Sequence, residues 1–239
     1  MINWQKWLWG GVGWAFGGPI GAILAFSLAS MSGNAKSNFH TKLNNKQTYG
    51  GDFGVSLLIL LSAVMNADNK QTKSELEFIK NFLIQQFGSK YAKERLQLFK
   101  EILKQKFSLN DVCSQIKSRM DYSSRLQIIH VLFGLSNADN HIHNNEINII
   151  QKISVLLEIT QKDFISIQAM FYSDKSSYYK ILEIDPNSSN NDVKKAYRKM
   201  AVKFHPDKVQ HLGPDFQKLA EEKFKTLNNA YQQIKKYRG

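Results

Sequence analysis

Apolar residues recur at helical spacing along most of this chain. Between Val55 and about Tyr172 they follow the period of amphipathic helices, without convincing alternation of the kind that strands show. Two further helices are predicted near the carboxyl end, and each has one apolar face. The first face comprises Val193, Ala196, Tyr197, Met200, Ala201 and Phe204. The second comprises Phe216, Leu219, Phe224, Leu227, Ala230, Tyr231 and Ile234. We therefore predict an all-α fold.

The tripeptide His205-Pro206-Asp207 lies between these last two helices. Pro206 cannot continue a helix and biases His205 toward an extended conformation, so the chain must turn at this point. The polar side of the preceding helix carries five bases: Lys194, Lys195, Arg198, Lys199 and Lys203. The pattern predicts two antiparallel helices that present a polar tripeptide at their tip.

Residues 177–239 resemble a J domain, the module by which DnaJ-type co-chaperones stimulate the ATPase of DnaK-type chaperones. The resemblance is carried by Tyr178-Tyr-Lys-Ile-Leu182, Lys194-Lys-Ala-Tyr-Arg-Lys199, His205-Pro-Asp-Lys208 and Phe224-Lys-Thr-Leu-Asn-Asn-Ala-Tyr231. A lone His-Pro-Asp tripeptide is weakly specific, but here it lies in the expected order between a basic helix and an apolar one. Two features depart from the family pattern. Glu183 stands where many J domains carry Gly, and a long stretch, Val209–Gln217, follows the tripeptide.

The resemblance also implies which residues bind the partner. The predicted partner-binding residues are His205, Pro206, Asp207, Lys194, Tyr197, Arg198, Lys199 and Lys203. The tripeptide would trigger the partner's ATPase, with Asp207 pairing with a buried cation of the partner. The bases would steer and dock the domain on an acidic patch of the chaperone.

No motif predicts that the chain itself is an enzyme. His205 could act as a general base, but the motif holds no second catalytic group beside it. Cys113, the single cysteine, falls in an apolar helical region and is predicted to be a core residue; alone, it excludes an internal disulfide framework. The formal net charge of +12 raises the question of nucleic-acid binding, but no aromatic platform or zinc-finger spacing accompanies it. We expect no nucleic-acid partner.

The middle of the chain contains an internal repeat. Asn66-Ala-Asp-Asn69 with Glu75 returns as Asn137-Ala-Asp-Asn140 with Glu146, and each copy lies between two apolar helices. This pattern resembles the TerB-like domain, which is all helical. Gly is usual where Asn69 and Asn140 stand, but Asn tolerates the left-handed backbone that such a turn needs.

The acidic residues of the repeat allow two interpretations. The candidate metal ligands are Asp68, Glu75, Asp139 and Glu146, since TerB-like domains have been associated with divalent-metal binding through such residues. Alternatively, these carboxylates cap helices and interact with the helix dipoles, and Thr72-Lys-Ser-Glu75 fits a capping box. His141 and His143 could suggest a transition metal, although a solvent-exposed loop explains them too. No cofactor is predicted to be required.

The run from Leu8 to Met31 carries no charge and is long enough to cross a bilayer as a helix. Four tryptophans crowd its first end: Trp4, Trp7, Trp9 and Trp14. Four glycines form a ridge on which a second helix could pack: Gly10, Gly13, Gly17 and Gly21. More lysines follow the run than precede it, and this bias predicts that the part of the chain after the run lies in the cytosol. A signal peptide, a helix in the interface plane and an arm of a soluble protein are the alternatives.

Taken in order, these segments resemble the DjlA-type membrane-anchored co-chaperones. The predicted division is a transmembrane or glycine-rich membrane-associated segment at 1–33, a linker at 34–51, a TerB-like domain at 52–173 and a J domain at 177–239. We expect a single-pass inner-membrane protein that recruits a DnaK-type chaperone in the cytosol, with a homodimer through the glycine ridge. The alternative location is soluble and cytoplasmic. The alternative function is a metal-sensing or stress-signalling adaptor in which the TerB-like domain is the active module.

Overall fold

The chain folds into packed helices, which confirms the predicted all-α class. The computed structural model describes residues 4–31, 49–67 and 72–238, and every regular element within these ranges is helical. The elements are α1 Trp4–Ser30, α2 Tyr49–Met65, α3 Lys73–Phe87, α4 Ser89–Leu103, α5 Leu109–Arg119, α6 Tyr122–Ser136, α7 Asn144–Leu156, α8 Gln161–Ala169, α9 Lys175–Ile181, α10 Asn190–Lys203, the 3₁₀ helix Pro206–Leu212 and α11 Pro214–Arg238.

Helix α2 is the central element of the core. Its residues Leu57–Leu61 are fully buried, as expected for a helix that is apolar on all sides. It packs against α4, α6 and α7 and also against the 3₁₀ helix near the carboxyl end. The helix begins at Tyr49, inside the predicted linker at 34–51, while residues 34–48 lie outside the described part of the chain.

The prediction of a membrane-spanning helix over Leu8–Met31 is wrong. Among the described residues, no helix combines the length and the apolar character that crossing a bilayer requires. Gly18 adopts φ 63° and ψ −158°, which breaks α1 just before Pro19. After the break, Ile20 and Ile23 are buried where α1 packs on α4 and α5. The single-pass inner-membrane location that rested on this span is wrong with it.

Side chains from neighbouring segments bind the backbone groups that the break leaves without helical partners. The Ile20 N–H donates to Oε1 of Gln115 at 2.9 Å, and Nε2 of Gln115 donates to the Gly17 carbonyl at 2.6 Å. One turn later, Nε2 of Gln105 donates to the Ile23 carbonyl at 3.2 Å. These bonds fix the second half of α1 to the helical core, since buried backbone groups need partners.

Other parts of the amino-terminal prediction fall outside what is described. The surroundings of the four tryptophans, and of the ridge glycines Gly10 and Gly13, belong to that part. The homodimer through the glycine ridge is therefore untested and stays a prediction.

Helices α9, α10 and α11 form a smaller unit that packs directly on the larger one. Helix α11 runs antiparallel to α10, since Tyr197 meets Tyr231 near the middle and Arg238 meets Asn190 at one end. The 3₁₀ helix contacts α2 and α6, and α11 contacts α3. Phe216 of α11 meets Phe53 of α2 edge to face, with ring centroids 4.4 Å apart. The buried side chains of both units form one continuous apolar cluster.

Candidate functional site

Helix α10 has the two faces that the sequence predicts. Ser189 caps its first turn by accepting a hydrogen bond from the Asp192 N–H at 3.2 Å. The apolar face is buried at Val193, Met200 and Phe204. On the opposite side, four bases are exposed to solvent: Lys194, Lys195, Arg198 and Lys199.

The tripeptide after α10 opens a 3₁₀ helix instead of an irregular loop. His205 is the N-cap, with φ −60° and ψ 132°, and Pro206 occupies the first turn, where its missing N–H costs nothing. Nδ1 of His205 accepts a hydrogen bond from the Asp207 N–H at 3.3 Å. The side chains of His205 and Asp207 remain 49% and 71% exposed. The backbone thus fixes Asp207 while its carboxylate points into solvent.

Not every predicted partner-binding residue is equally available. Tyr197 is half-buried: its hydroxyl donates to Oδ1 of Asn228 at 2.6 Å and its ring stacks on Tyr231. It therefore joins α10 to α11. Lys203 is 23% exposed and its ammonium lies 2.6 Å from Asp163 and 2.9 Å from Glu183. The outer bases and the side chains of His205 and Asp207 are exposed, whereas Lys203 is held against internal carboxylates.

The long stretch after the tripeptide makes a contact between the two units. Val209, Leu212 and Phe216 are buried, and the 3₁₀ helix that carries the first two packs on α2 and α6. Gly213 has φ 108°, a backbone conformation that L side chains rarely adopt, and it separates the 3₁₀ helix from α11. Next to this contact, the Nε2 atom of His211 lies 3.2 Å from the Ser124 hydroxyl at the start of α6.

Glu183 adopts the left-handed backbone that Gly usually provides. Its φ is 56°, so the residue that departs from the family pattern keeps the turn conformation after α9. Its carboxylate reaches α10, where Oε2 lies 3.5 Å from Nζ of Lys199. Sequence analysis flagged this position but gave the carboxylate no role. Asp163 was missed altogether, because nothing in the order Thr160-Gln-Lys-Asp163 indicates which base lies across the interface.

Two acids of the repeat, Glu75 and Glu146, form helix caps. The Thr72 N–H donates to Oε2 of Glu75 at 2.7 Å, and the His143 N–H donates to Oε2 of Glu146 at 2.9 Å. Burial raises the pKa of Glu146, and the charge of Glu75 adds to this. Asp139 accepts a hydrogen bond from the His141 N–H at 3.0 Å.

Metal binding by the repeat remains untested. Within the described ranges, no three potential metal ligands lie close enough together to hold an ion, and Asp68 lies outside those ranges. Asn140 takes φ 63°, the left-handed turn expected of it. His141 and His143 are exposed, as the loop interpretation requires. Cys113 is a core residue, where burial raises the pKa of its thiol to about 12.

Comparison with known families assigns both units. The family model described as "Tellurite resistance protein TerB" matches residues 55–169, and the "DnaJ domain" model matches residues 177–238. No solved structure gives a significant match to the chain.

Curated relatives match the second unit. The chaperone protein DnaJ of Fusobacterium nucleatum subsp. polymorphum is 55% identical over 58 residues, which is 24% of this chain and 15% of that protein. The DnaJ of Treponema denticola is 50% identical over 60 residues, 25% and 14% of the two chains. That of Campylobacter jejuni is 54% identical over 56 residues, 23% and 14%. The chain thus spans about one seventh of the length of these relatives.

The fold, the exposed His-Pro-Asp tripeptide and these matches define the class of the second unit: residues 177–238 are a DnaJ domain. More particularly, the chain's TerB domain followed by a carboxyl-terminal DnaJ domain is the arrangement of the DjlA type.

Proposed function

We propose that this protein is a co-chaperone that binds a DnaK-type chaperone and stimulates its ATPase through His205-Pro206-Asp207, without catalysing a reaction itself. The observation that carries the proposal is the presentation of Asp207. Its carboxylate is 71% exposed at the amino end of a 3₁₀ helix, between a basic helix and an apolar one. A fixed, solvated carboxylate is suited to pair with a cation on a partner.

The exposed bases of α10 support the same function. Lys194, Lys195, Arg198 and Lys199 lie on one side of the helix that leads into the tripeptide. Such a one-signed surface accelerates encounter with an acidic partner and sets its orientation. The bases and the tripeptide are contiguous along the chain, so a chaperone that docks on the bases meets Asp207 next.

Replacing the tripeptide side chains tests the function. We expect Asp207→Asn and His205→Gln to lose stimulation of the chaperone's steady-state ATPase. Asp185→Asn, which removes an exposed carboxylate elsewhere in the same domain, is the matched control and should keep it. Circular dichroism would show that each variant retains its helices. Full stimulation by the Asp207 variant would rule out the tripeptide as the trigger.

A further inference from the structure

Two carboxylates from different parts of the chain hold the last base of α10. Nζ of Lys203 donates to Oδ1 of Asp163 on α8 at 2.6 Å and to Oε1 of Glu183 at 2.9 Å. Asp163 belongs to the TerB domain, whereas Glu183 lies in the turn after the first helix of the DnaJ domain. Glu183 also reaches Lys199, one turn earlier on α10. We call Asp163 and Glu183, with the lysines they hold, the acidic clamp.

The Lys203 pairs of the clamp are shielded from water, unlike an ordinary surface ion pair, whereas Lys199 is 68% exposed. The side chains of Asp163 and Glu183 are only 2% and 6% exposed. Burial alone would raise the pKa of Asp163, but hydrogen bonds from Lys203, Tyr122 and Thr160 outweigh it and bring that pKa below its usual value. Burial likewise opposes the charge of Lys203, yet its two carboxylate partners raise its pKa. A pair of this kind is screened far less than an exposed one.

The acids are held in position before any partner arrives. The hydroxyls of Tyr122 and Thr160 both donate to Oδ2 of Asp163 at 2.7 Å, so its other oxygen faces Lys203. Glu183 is directed by its left-handed backbone. Gly at that position would leave the turn intact and remove the carboxylate, so the clamp depends on a residue that stands where many J domains carry Gly.

The clamp offers Lys203 and Lys199 the same chemistry that an acidic chaperone surface would offer. We propose that Asp163 and Glu183 act as an intramolecular competitor for Lys203, and that Glu183 also competes for Lys199. The clamp then weakens binding of the DnaK-type chaperone while the DnaJ domain is docked on the TerB domain, and its opening releases the full basic face. This proposal rests on the proposed function, because it assigns a regulatory contact to the same surface.

The rest of the domain contact is compatible with opening. It combines the apolar packing of the 3₁₀ helix and Phe216 with polar groups that are expensive to bury, above all Lys223, which is 2% exposed and donates to Oε1 of Gln127 at 2.8 Å. An interface that buries an amine against a single amide oxygen is weaker than an apolar one of the same area. Release of the DnaJ domain returns the Lys223 amine to water. The free energy gained by this hydration offsets part of the free energy lost with the buried apolar contacts.

The clamp can be tested on the full chain without any chaperone. The reactivity of each lysine toward an acetylating reagent, read by mass spectrometry, reports the accessibility and pKa of each amine. We expect Lys203 in the wild-type chain to react more slowly than exposed Lys208. Glu183→Gly combined with Asp163→Asn should raise the reactivity of Lys203 by about threefold or more. Equal reactivity of Lys203 and Lys208 in the wild type would overturn the clamp.

The competition is tested by the association rate with an ATP-loaded DnaK-type chaperone at low salt. We expect Glu183→Gly to raise this rate by about threefold or more, and Asp163→Asn to raise it as well. The matched control is Glu158→Gly, which makes the same charge change at another left-handed residue (φ 54°) whose partner is Lys117. It should leave the rate unchanged. Wild-type rates in both clamp variants would contradict the competition.

The two proposals fail in different ways. If Asp207→Asn keeps full stimulation, the tripeptide trigger is wrong, whatever the lysine reactivities show. If Asp207→Asn loses stimulation while the clamp variants bind at the wild-type rate, the trigger stands and the competition is wrong.

Discussion

Lys223 illustrates, at a single residue, the free-energy cost of burying a polar group between the domains. Its ammonium is buried, with Gln127 as hydrogen-bond partner and the ring of Phe204 4.9 Å away. Burial lowers the pKa of Lys223 to about 7, although the charge of Asp163 acts in the opposite direction. The folded chain must therefore give up a proton, or keep a charge in an apolar place, near neutral pH.

This residue gives the folded chain a predicted pH dependence. The unfolded amine titrates near 10.5 and the folded one near 7, so the unfolded state binds more protons between these values. The free energy of unfolding should therefore rise with pH, by up to about 2 kcal/mol between about pH 7 and about pH 8.5. The measurement stops there because Cys113, whose pKa is raised, favours unfolding as the pH passes 9.0. Urea titrations at the two pH values measure the slope.

Lys223→Met is the matched variant for this effect. It keeps the length of the side chain and removes the amine, so the pH slope should flatten and stability at pH 7 should increase. Lys225→Met, on the exposed side of the same helix, should leave the slope as it is. A wild-type slope in the Lys223 variant would mean that another group causes the pH dependence.

At the scale of elements, local sequence patterns are enough to predict most of the helices. The faces of α10 and α11 and the turn at Pro206 could be predicted from spacing and from the chemistry of proline. The surroundings of the apolar run Leu8–Met31 could not be predicted, because the number of uncharged residues does not indicate what the helix packs against. A Gly18-Pro19 break and two glutamines from elsewhere in the chain turned half of that run into part of the core.

The acidic repeat makes a first prediction at this scale. Helix capping accounts for Glu75 and Glu146, so millimolar calcium, magnesium or zinc, and a chelator, should leave the melting temperature of the full chain unchanged. Glu75→Ala and Glu146→Ala should each cost about 1 kcal/mol of stability through loss of a cap. A bound cation would instead stabilise the chain in proportion to RT ln(1 + [L]/Kd). A melting temperature that rises with metal and falls with chelator would establish the metal site.

Helix α10 makes a second prediction at this scale, about the rate of partner binding. Its exposed bases act through a screened field, so association with the chaperone should fall steeply with salt. Reversing Arg198 and Lys199 to Glu should slow association by about tenfold or more. The same double reversal at Lys235 and Lys236, exposed at the far end of α11, is the control. An association rate that changes neither with salt nor with the α10 reversal would mean that these bases only keep the helix surface solvated.

At the scale of the whole molecule, the docking of the two domains could not be predicted from the sequence. The order of a TerB domain and a DnaJ domain follows from motifs, since each motif is local. Asp163 and Lys203 are 40 residues apart in sequence, and only the packed structure brings them into contact. The same is true of Phe53 and Phe216, which are far apart in sequence but whose rings are in contact. Docking covers the stretch after the tripeptide and leaves the tripeptide itself facing solvent.

Single-turnover hydrolysis tests most directly whether Asp207 triggers ATP hydrolysis in a bound chaperone. A DnaK-type chaperone preloaded with ATP would be mixed with increasing amounts of the full chain, and the hydrolysis rate would be followed to saturation. We predict a saturable acceleration with the wild type, and with Asp207→Asn no acceleration at any concentration despite continued binding. An Asp207 variant that accelerates hydrolysis to the wild-type limit, or a wild type that binds without acceleration, would contradict the account.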